Sequence, residues 1–174
     1  MTQLKPFPSM EVAASILAPL IPLAIKELSN GERWCKGLSF RDLRGQGILG
    51  GADYYMPFKE SFYAGRNYKM CAYGALIIAA CRADYADTVR DAHDLIRLNL
   101  RATDYGGNKD RRIRLWNEFR LDFVRANSKD PFPGAQQLDQ INDSPSVSWP
   151  MLKHLLESFG QYCNRVASRA EVST

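Results

Sequence analysis

The sequence predicts a mainly α-helical fold, a compact domain of about five helices around a central apolar helix at residues 70–83. Residues 70–83 are apolar on every side, which is typical of a helix buried in the middle of a domain. Other segments repeat apolar residues at three- and four-residue spacing, the period of a helix with one buried face. The chain has 174 residues, of which 45% are hydrophobic, so we expect a single domain over residues 1–174.

The first helix is predicted to begin after Ser9, a good N-cap residue, and to end at the stop signal of residues 29–31. Its apolar run from Val12 to Ile25 is too short to span a bilayer and contains Pro19 and Pro22, so we expect a core helix and no membrane contact. The start of the chain lacks the residue order of a secretory signal. We therefore expect a cytoplasmic protein whose four cysteines are thiols.

A glycine- and tyrosine-rich insertion follows at residues 38–69, where the helical pattern breaks down. Such punctuation predicts loops, with room for a short hairpin. The run from Gly45 to Gly50 matches G-x-G-x-x-G, but a dinucleotide site needs a buried strand before the glycines and a helix after them. Residues 41–44 do not resemble a buried strand and residues 52–57 make a poor helix, so we expect no cofactor.

Three more helices are predicted after the central one. Amphipathic patterns indicate a surface helix between residues 84 and 104 and another from about residue 110 to 127. The polar, proline-bearing stretch at residues 130–147 is predicted to be a linker loop. Ser148 as N-cap opens the last helix, and residues 170–174 are expected to fray.

Cationic and aromatic residues near two glycine-containing loops are the candidates for binding a partner. Around the first loop they are Arg41, Arg44, Tyr54 and Tyr55. Around the second they are Arg97, Arg101, Tyr105, Lys109, Arg111, Arg112 and Arg114. The second set suits phosphate groups, with a tyrosine available for stacking. A solvated helix face is the simpler interpretation, because acidic residues share that face and the net charge is only +4.

Catalysis and metal binding have weaker support in the sequence. A nucleophilic cysteine needs a histidine and a positive, partly exposed setting, and the candidates are Cys35 or Cys71 with His93, although packing in the core is the simpler interpretation of both thiols. Glu118 and Asp53 are the carboxylate candidates. The four cysteines and two histidines lack the paired spacing of zinc sites, so we expect no metal.

Three short motifs resemble those of an uncharacterised bacterial and bacteriophage family of helical domains. The family carries Trp-Cys-x-Gly, Cys-Ala-x-Gly-Ala and Trp-Asn-Asp in this order. The matching residues here are Trp34, Cys35, Gly37, Cys71, Gly74, Ala75, Trp116 and Asn117. The resemblance implies a compact helical domain and assigns no catalytic residues. Glu118 replaces the final aspartate of the pattern, and residues 38–69 are an insertion relative to it.

Three functions are compatible with these observations. The first is a non-enzymatic interaction module, an accessory protein of a phage or mobile element, which binds a host protein or nucleic acid through a basic face and the glycine- and tyrosine-rich loop. The second is a small enzyme with a cysteine or carboxylate active site under the glycine loop. The third is a structural or assembly subunit. The sequence does not predict the oligomeric state.

Overall fold

The computed structural model describes residues 8–37, 39–100, 114–135 and 137–171. Within them the chain is mainly helical, as predicted. The helices are α1 (Met10–Glu27), α2 (Ala52–Tyr55), α3 (Ala72–Arg82), α4 (Val89–Leu100), α5 (Arg114–Ala126), α6 (Leu138–Asp143) and α7 (Trp149–Glu171). Two short strands, β1 (Phe40–Asp42) and β2 (Tyr68–Met70), pair antiparallel with Phe40 opposite Met70. The buried apolar side chains form one cluster.

Helices α1 and α7 form the most extensive helix pair of the fold. The Oγ atom of Ser9 accepts a hydrogen bond from the backbone of Val12, so the predicted N-cap of α1 is confirmed. At the other end of α1, Gly31 has a φ of +95° and lies against Trp149, the first residue of α7. This close approach fixes the start of α7 beside the end of α1.

Helix α3 is the central apolar helix that the sequence predicts. Every residue from Ala72 to Cys81 is buried, and α3 packs against α1, α4, α6 and β2. The Sγ atom of Cys71 caps its N-terminus by accepting a hydrogen bond from Gly74 at 3.4 Å. A Cβ atom at Gly74 would lie 2.3 Å from the backbone oxygen of Ser39, so only glycine allows this contact.

The insertion at residues 38–69 has more structure than the predicted loops. Its ends form the β1–β2 sheet, and α2 and two short 3₁₀ turns lie between them. The expected hairpin is a tight turn in which the carboxylate of Asp42 accepts hydrogen bonds from the backbones of Arg44 and Gln46. The hydroxyl of Tyr63 donates to the carbonyl of Ile48, and that of Tyr68 donates to the carbonyl of Tyr63. Side-chain hydrogen bonds therefore hold most of this segment.

A buried charged cluster joins this insertion to the helices. The Glu27 carboxylate on α1 forms ion pairs with Arg33 at 3.1 Å and with Arg82 of α3 at 2.8 Å. Arg33 also donates to the carbonyl of Tyr68, and Arg82 donates to the carbonyl of Ala64. Since charges this buried need partners, the insertion is tied to α1 and α3.

The structure differs from the prediction in the stretch before the last helix. Residues 130–147 are not only a linker loop, because they contain α6, which is capped by reciprocal hydrogen bonds between Gln137 and Gln140. Helix α6 escaped the sequence pattern because it has six residues and only Leu138 and Ile141 as buried apolar positions. Helix α7 extends through Glu171, and fraying of residues 170–174 stays a prediction. Residues 172–174 lie outside the described part.

One segment among the described residues, Met10–Gly31, is long and apolar enough to cross a membrane. Its mean hydropathy is 1.5, and 50% of the tested window is buried. It has 22 residues, whereas the Val12–Ile25 run that the sequence analysis considered is shorter. Core helices and signal sequences pass the same test, and here α1 packs on α7 and α3. The lack of membrane contact stays a prediction.

The Gly74→Ala substitution should lower the free energy of unfolding by about 2 kcal/mol or more, because the new methyl group meets backbone and not a flexible side chain. Gly160→Ala is the matched control, since the atoms nearest to its Cβ would belong to the Ile21 side chain, with Cγ2 at 3.3 Å, and alanine favours the helix. Urea unfolding of both variants measures the difference. Equal stability of the two would contradict the close contact at Ser39.

Candidate functional site

The side-chain amide of Asn142 connects three segments that are far apart in the sequence. Its Oδ1 atom accepts hydrogen bonds from Trp34 Nε1 at 2.8 Å and from the Ala72 backbone at 3.0 Å. Its Nδ2 atom donates to the Cys35 carbonyl at 3.1 Å and to Asp143 Oδ1 at 2.9 Å. The side chain is fully buried, and this bonding uses the full capacity of the amide.

Asp143 extends this network to the turn after Cys35. Its Oδ1 atom accepts a hydrogen bond of 2.7 Å from the backbone N–H of Gly37. Gly37 has a φ of +85°, a conformation that favours glycine. Lys36 Nζ donates to the carbonyls of Ser144 and Pro145, which follow α6. The Trp-Cys-x-Gly segment is thus bound along its length to α6 and the residues after it.

An open cavity of about 430 Å³ lies beside this network. Its lining includes Phe40, Cys71 and Tyr73, and the glycine loop contributes Gly47 and Leu49. Helix α6 contributes two carboxylates, Asp139 and Asp143. They are four residues apart and therefore lie on one face of the helix. The volume is within the range of small-molecule sites.

The catalytic candidates Cys35, His93 and Glu118 lie in three different surroundings. Cys35 is half-buried, and its backbone N–H donates to the Met70 carbonyl. His93 Nδ1 shares a hydrogen bond with the Tyr54 hydroxyl, and its ring packs edge-on against Tyr73. Glu118 is on α5, where its charge acts on Tyr162 of α7. The other carboxylate candidate, Asp53, accepts a hydrogen bond from the backbone N–H of Phe62.

The thiols are poorly suited to nucleophilic attack at neutral pH. Burial raises the pKa of Cys35 to about 11, and the nearby Cys71 thiol adds to the effect. Burial likewise raises the pKa of Cys71, and it raises those of Cys81 and Cys163 to about 12. None of the four cysteines, all of which are described, is in a disulfide. The structure gives no support to an activated thiolate.

The structure brings some of the binding candidates together. Helix α2, which carries Tyr54 and Tyr55, packs on α4, which carries Arg97. Arg90 of α4, which the sequence analysis did not select, lies over the Tyr55 ring at 5.6 Å. Asp94 is within ion-pair distance of both Arg90 and Arg97, so the positive charge on this face of α4 is partly balanced.

Arg41 lies in β1, and Arg44 lies in the tight turn that follows it. The Nη1 atom of Arg41 donates to the carbonyl of Gly45, and its Nη2 atom lies close to Gly37. Arg44 is exposed. Arg101, Tyr105, Lys109, Arg111 and Arg112 lie outside the described residues, as does the side chain of Arg114.

The third motif of the family resemblance lies apart from the first two. Trp116 packs on Phe159 with ring centroids 4.9 Å apart, in the aromatic contact between α5 and α7, and Asn117 is exposed. The Asn-Asp pair that does contact the first two motifs is Asn142–Asp143. The sequence feature that could have indicated this contact is an Asn-Asp pair directly after the apolar Ile141. Sequence reasoning missed it because the surrounding stretch was interpreted as a linker.

No family model matches the sequence, and no curated protein and no solved structure matches it either. Across residues 8–37, 39–100, 114–135 and 137–171, no group of three or more His, Cys, Asp or Glu side chains is arranged to hold a metal ion. The argument about function therefore depends on the geometry of the site.

Replacing Asn142 with alanine should lower the free energy of unfolding by about 3 kcal/mol, because four hydrogen-bonding groups lose their buried partner. Asn99→Ala removes the same volume from a buried site, where only the bond from Nδ2 to the Leu95 carbonyl is lost, and should cost about 1 kcal/mol. Urea unfolding compares the two. A smaller loss for Asn142→Ala would mean that the amide does not hold the segments together.

Alkylation of Cys35 by iodoacetamide should be slow at pH 7 and about tenfold faster for each pH unit as the pH approaches its pKa of about 11. A raised pKa means that less thiolate is present at neutral pH, which sets the direction of the effect. The protein in urea is the control, since its thiols should titrate near about 8.5. Fast alkylation of Cys35 in the folded protein at pH 7 would restore the nucleophile hypothesis.

Proposed function

We propose that this protein is a non-enzymatic interaction module and that residues 40–62 form its binding face for a protein partner. The observation that carries the proposal is the exposure of large apolar side chains on a segment of fixed shape. Leu43 is 69% exposed, Tyr55 60%, Leu49 48% and Phe62 45%. Aromatic side chains held in place contribute more to protein interfaces than mobile ones, since less conformational entropy is lost on binding.

Hydrogen bonds give these side chains a defined setting. The backbone of Phe62 is tied to the carboxylate of Asp53 in α2, so Phe62 and Tyr55 belong to one local unit. Tyr54 anchors α2 to α4 through His93, and the Tyr54 and Tyr55 rings are in edge contact at 5.1 Å. Arg90 covers part of the Tyr55 ring. Tyrosine and arginine together are frequent in the centres of interfaces.

The charges beside residues 40–62 favour a protein over nucleic acid as the partner. Arg90 and Arg97 share Asp94, and Lys59 lies 3.7 Å from Asp84. A surface that binds the phosphate backbone would carry unbalanced positive charge. Exposed aliphatic side chains such as Leu43 also contribute little to phosphate recognition, whereas they suit an apolar patch on a protein.

The small-enzyme hypothesis receives less support. The thiol pKa values are raised, and His93 is engaged by Tyr54. The assembly-subunit hypothesis predicts that a second copy of the chain occupies the binding face. The experiment below distinguishes these cases.

The double variant Tyr55→Ser, Phe62→Ser should capture a host protein at least about tenfold less than wild type, because the apolar contact area is lost. Tagged protein is incubated with host lysate, with and without nuclease treatment, and captured proteins are quantified by mass spectrometry. Leu121→Ser is the matched control, since Leu121 is 57% exposed on α5, outside the binding face, and its loss should leave capture unchanged.

A photo-crosslinking residue at position 55 should join the same partner directly. Equal capture by the double variant and wild type, or equal loss in Leu121→Ser, would contradict the proposal. Capture that disappears with nuclease would indicate nucleic acid. A self-crosslink at position 55, with a dimer in sizing chromatography that the double variant abolishes, would indicate an assembly subunit.

A further inference from the structure

We propose that Cys35 and Cys71 form a redox-active pair, which a low-molecular-weight disulfide converts to an intramolecular disulfide bond. The two cysteines belong to the first two motifs of the family resemblance, and both lie outside the binding face of residues 40–62. The inference is therefore independent of the proposed function. It concerns a stoichiometric modification of the protein and not catalysis.

Two backbone hydrogen bonds bring the segments of Cys35 and Cys71 side by side. The Met70 N–H donates to the Arg33 carbonyl at 2.8 Å, and the Cys35 N–H donates to the Met70 carbonyl at 3.0 Å. These bonds form a parallel bridge between Trp34 and Met70. Cys35 and Cys71 are the next residues along the two segments. Since opposite residues of parallel strands are roughly 4.8 Å apart and project to the same face, the two cysteines are neighbours.

The Asn142 amide keeps the two segments together beyond this bridge. Its Nδ2 atom donates to the Cys35 carbonyl at 3.1 Å, and its Oδ1 atom accepts from the Ala72 N–H at 3.0 Å. Ala72 directly follows Cys71, so one side chain holds the backbones of both cysteines. Residues joined by a disulfide have Cα atoms about 4.4–6.8 Å apart, a range that includes the spacing of neighbouring strands. The bond therefore needs no large movement of the backbone.

The electrostatics of the four thiols single out the same pair. Burial is the main cause of the raised pKa of Cys35, and the charge of Cys71 is the next. No other thiol contributes to the raised pKa of Cys81 or to that of Cys163. Cys81 is also ten residues beyond Cys71 on α3, which places the two about 15 Å apart along the helix. Cys35 is therefore the partner that Cys71 can reach.

The two thiols differ in exposure, which sets the order of the reaction. Cys35 is half-buried, whereas Cys71 is 3% exposed and its Sγ atom accepts a hydrogen bond from Gly74 at 3.4 Å. The positive charges of Arg41 and Lys69 lower the pKa of Cys35, although burial outweighs them. A dissolved disulfide therefore meets Cys35 first, and Cys71 takes part in the second step.

The reaction consists of two thiol–disulfide exchanges. In the first, the Cys35 thiolate attacks one sulfur of the reagent R–S–S–R, the S–S bond of the reagent breaks, and the R–S⁻ that leaves takes up the proton that Cys35 lost. In the second, the Cys71 thiolate attacks the Cys35 sulfur of the mixed disulfide and releases a second R–SH. The protein loses two electrons and two protons, and the reagent is reduced to two thiols.

The raised pKa values act on the rate and not against the product. Less thiolate at neutral pH slows both attacks. A dithiol whose thiolates are stabilised resists oxidation, and burial withholds that stabilisation here. We therefore expect slow formation of a disulfide that persists once formed.

The new bond closes a covalent ring that contains the insertion at residues 38–69. Ring closure restricts the unfolded chain, so the oxidised protein should be more stable than the reduced protein. The bond also ties together the two ends of the segment that carries residues 40–62.

The inference is tested with the full chain and oxidised glutathione under native conditions at a pH of about 8.5, where exchange is faster than at neutral pH. After equilibration the remaining thiols are alkylated in urea, and the protein is analysed by mass spectrometry. We expect the loss of two hydrogen atoms, with a disulfide between the tryptic peptides 34–36 and 70–82 and the alkyl group on Cys81. Four alkylated thiols, a bond to Cys81 or Cys163, or a bond between two copies of the chain would overturn the inference.

Single substitutions test the order of attack. Cys71→Ser keeps an N-cap for α3, and Cys35 in this variant should stay as a mixed disulfide with one glutathione. Cys35→Ser should form no adduct while it is folded, because Cys71 is buried. Cys81→Ala is the control and should form the Cys35–Cys71 bond as the wild type does. A mixed disulfide that persists in the wild type would show that the two sulfurs do not meet, which contradicts the site.

Urea unfolding without reductant compares the oxidised and reduced proteins and verifies that each variant is folded. The urea midpoint of the oxidised protein should be the higher of the two, because the unfolded chain is restricted. A lower midpoint would mean that the bond strains the native fold, which contradicts the geometry. No partner protein takes part in these measurements, so their failure is distinct from a failure of the capture experiment.

Discussion

Four hydrogen bonds of the Asn142 amide hold together parts of the chain that no continuous secondary structure connects. Trp34 and Asn142 are 108 residues apart in sequence, and Ala72 and Asn142 are 70 apart. Helix α6 has only six residues, too few to be stable alone, so its position depends on Asn142 and on the burial of Leu138 and Ile141. The direction of α6 in turn decides where its carboxylates lie. The cavity, the orientation of Asp143 and the turn at Gly37 all follow from this one buried side chain.

The insertion at residues 38–69 keeps its shape for a related reason. It has little regular structure, yet Tyr68, Tyr63 and Asp53 each bond a backbone group within it. The Glu27–Arg33–Arg82 cluster attaches the insertion to α1 and α3. Buried polar groups of this kind stabilise a fold only when they are satisfied together, which makes the arrangement specific. A stiff surface can expose aromatic residues without collapsing onto itself.

Local patterns predicted the helices and missed the site. The central helix was recognisable because residues 70–83 are apolar throughout, and the start of α1 because Ser9 precedes a periodic run. Helix α6 was missed because two buried apolar residues are too few to establish the three- and four-residue spacing of a helix. Asn142 and Asp143 were missed because their partners are long-range, and a polar residue in a polar stretch carries no sign of burial. The motif glycines Gly37 and Gly74 do have a structural reason, because a side chain at either position would clash with a neighbouring residue.

The pairing of α1 with α7 has a consequence for synthesis of the chain. These are the first and last described helices, and Ile21 of α1 packs against Gly160 of α7. Because α7 follows α1 and α3 in the chain, the nascent polypeptide exposes the apolar flank of α1 until α7 has been synthesised. Such late completion slows folding and favours aggregation of incomplete chains. The surface of α1 that packs on α3 can therefore be buried earlier in synthesis than the surface that packs on α7.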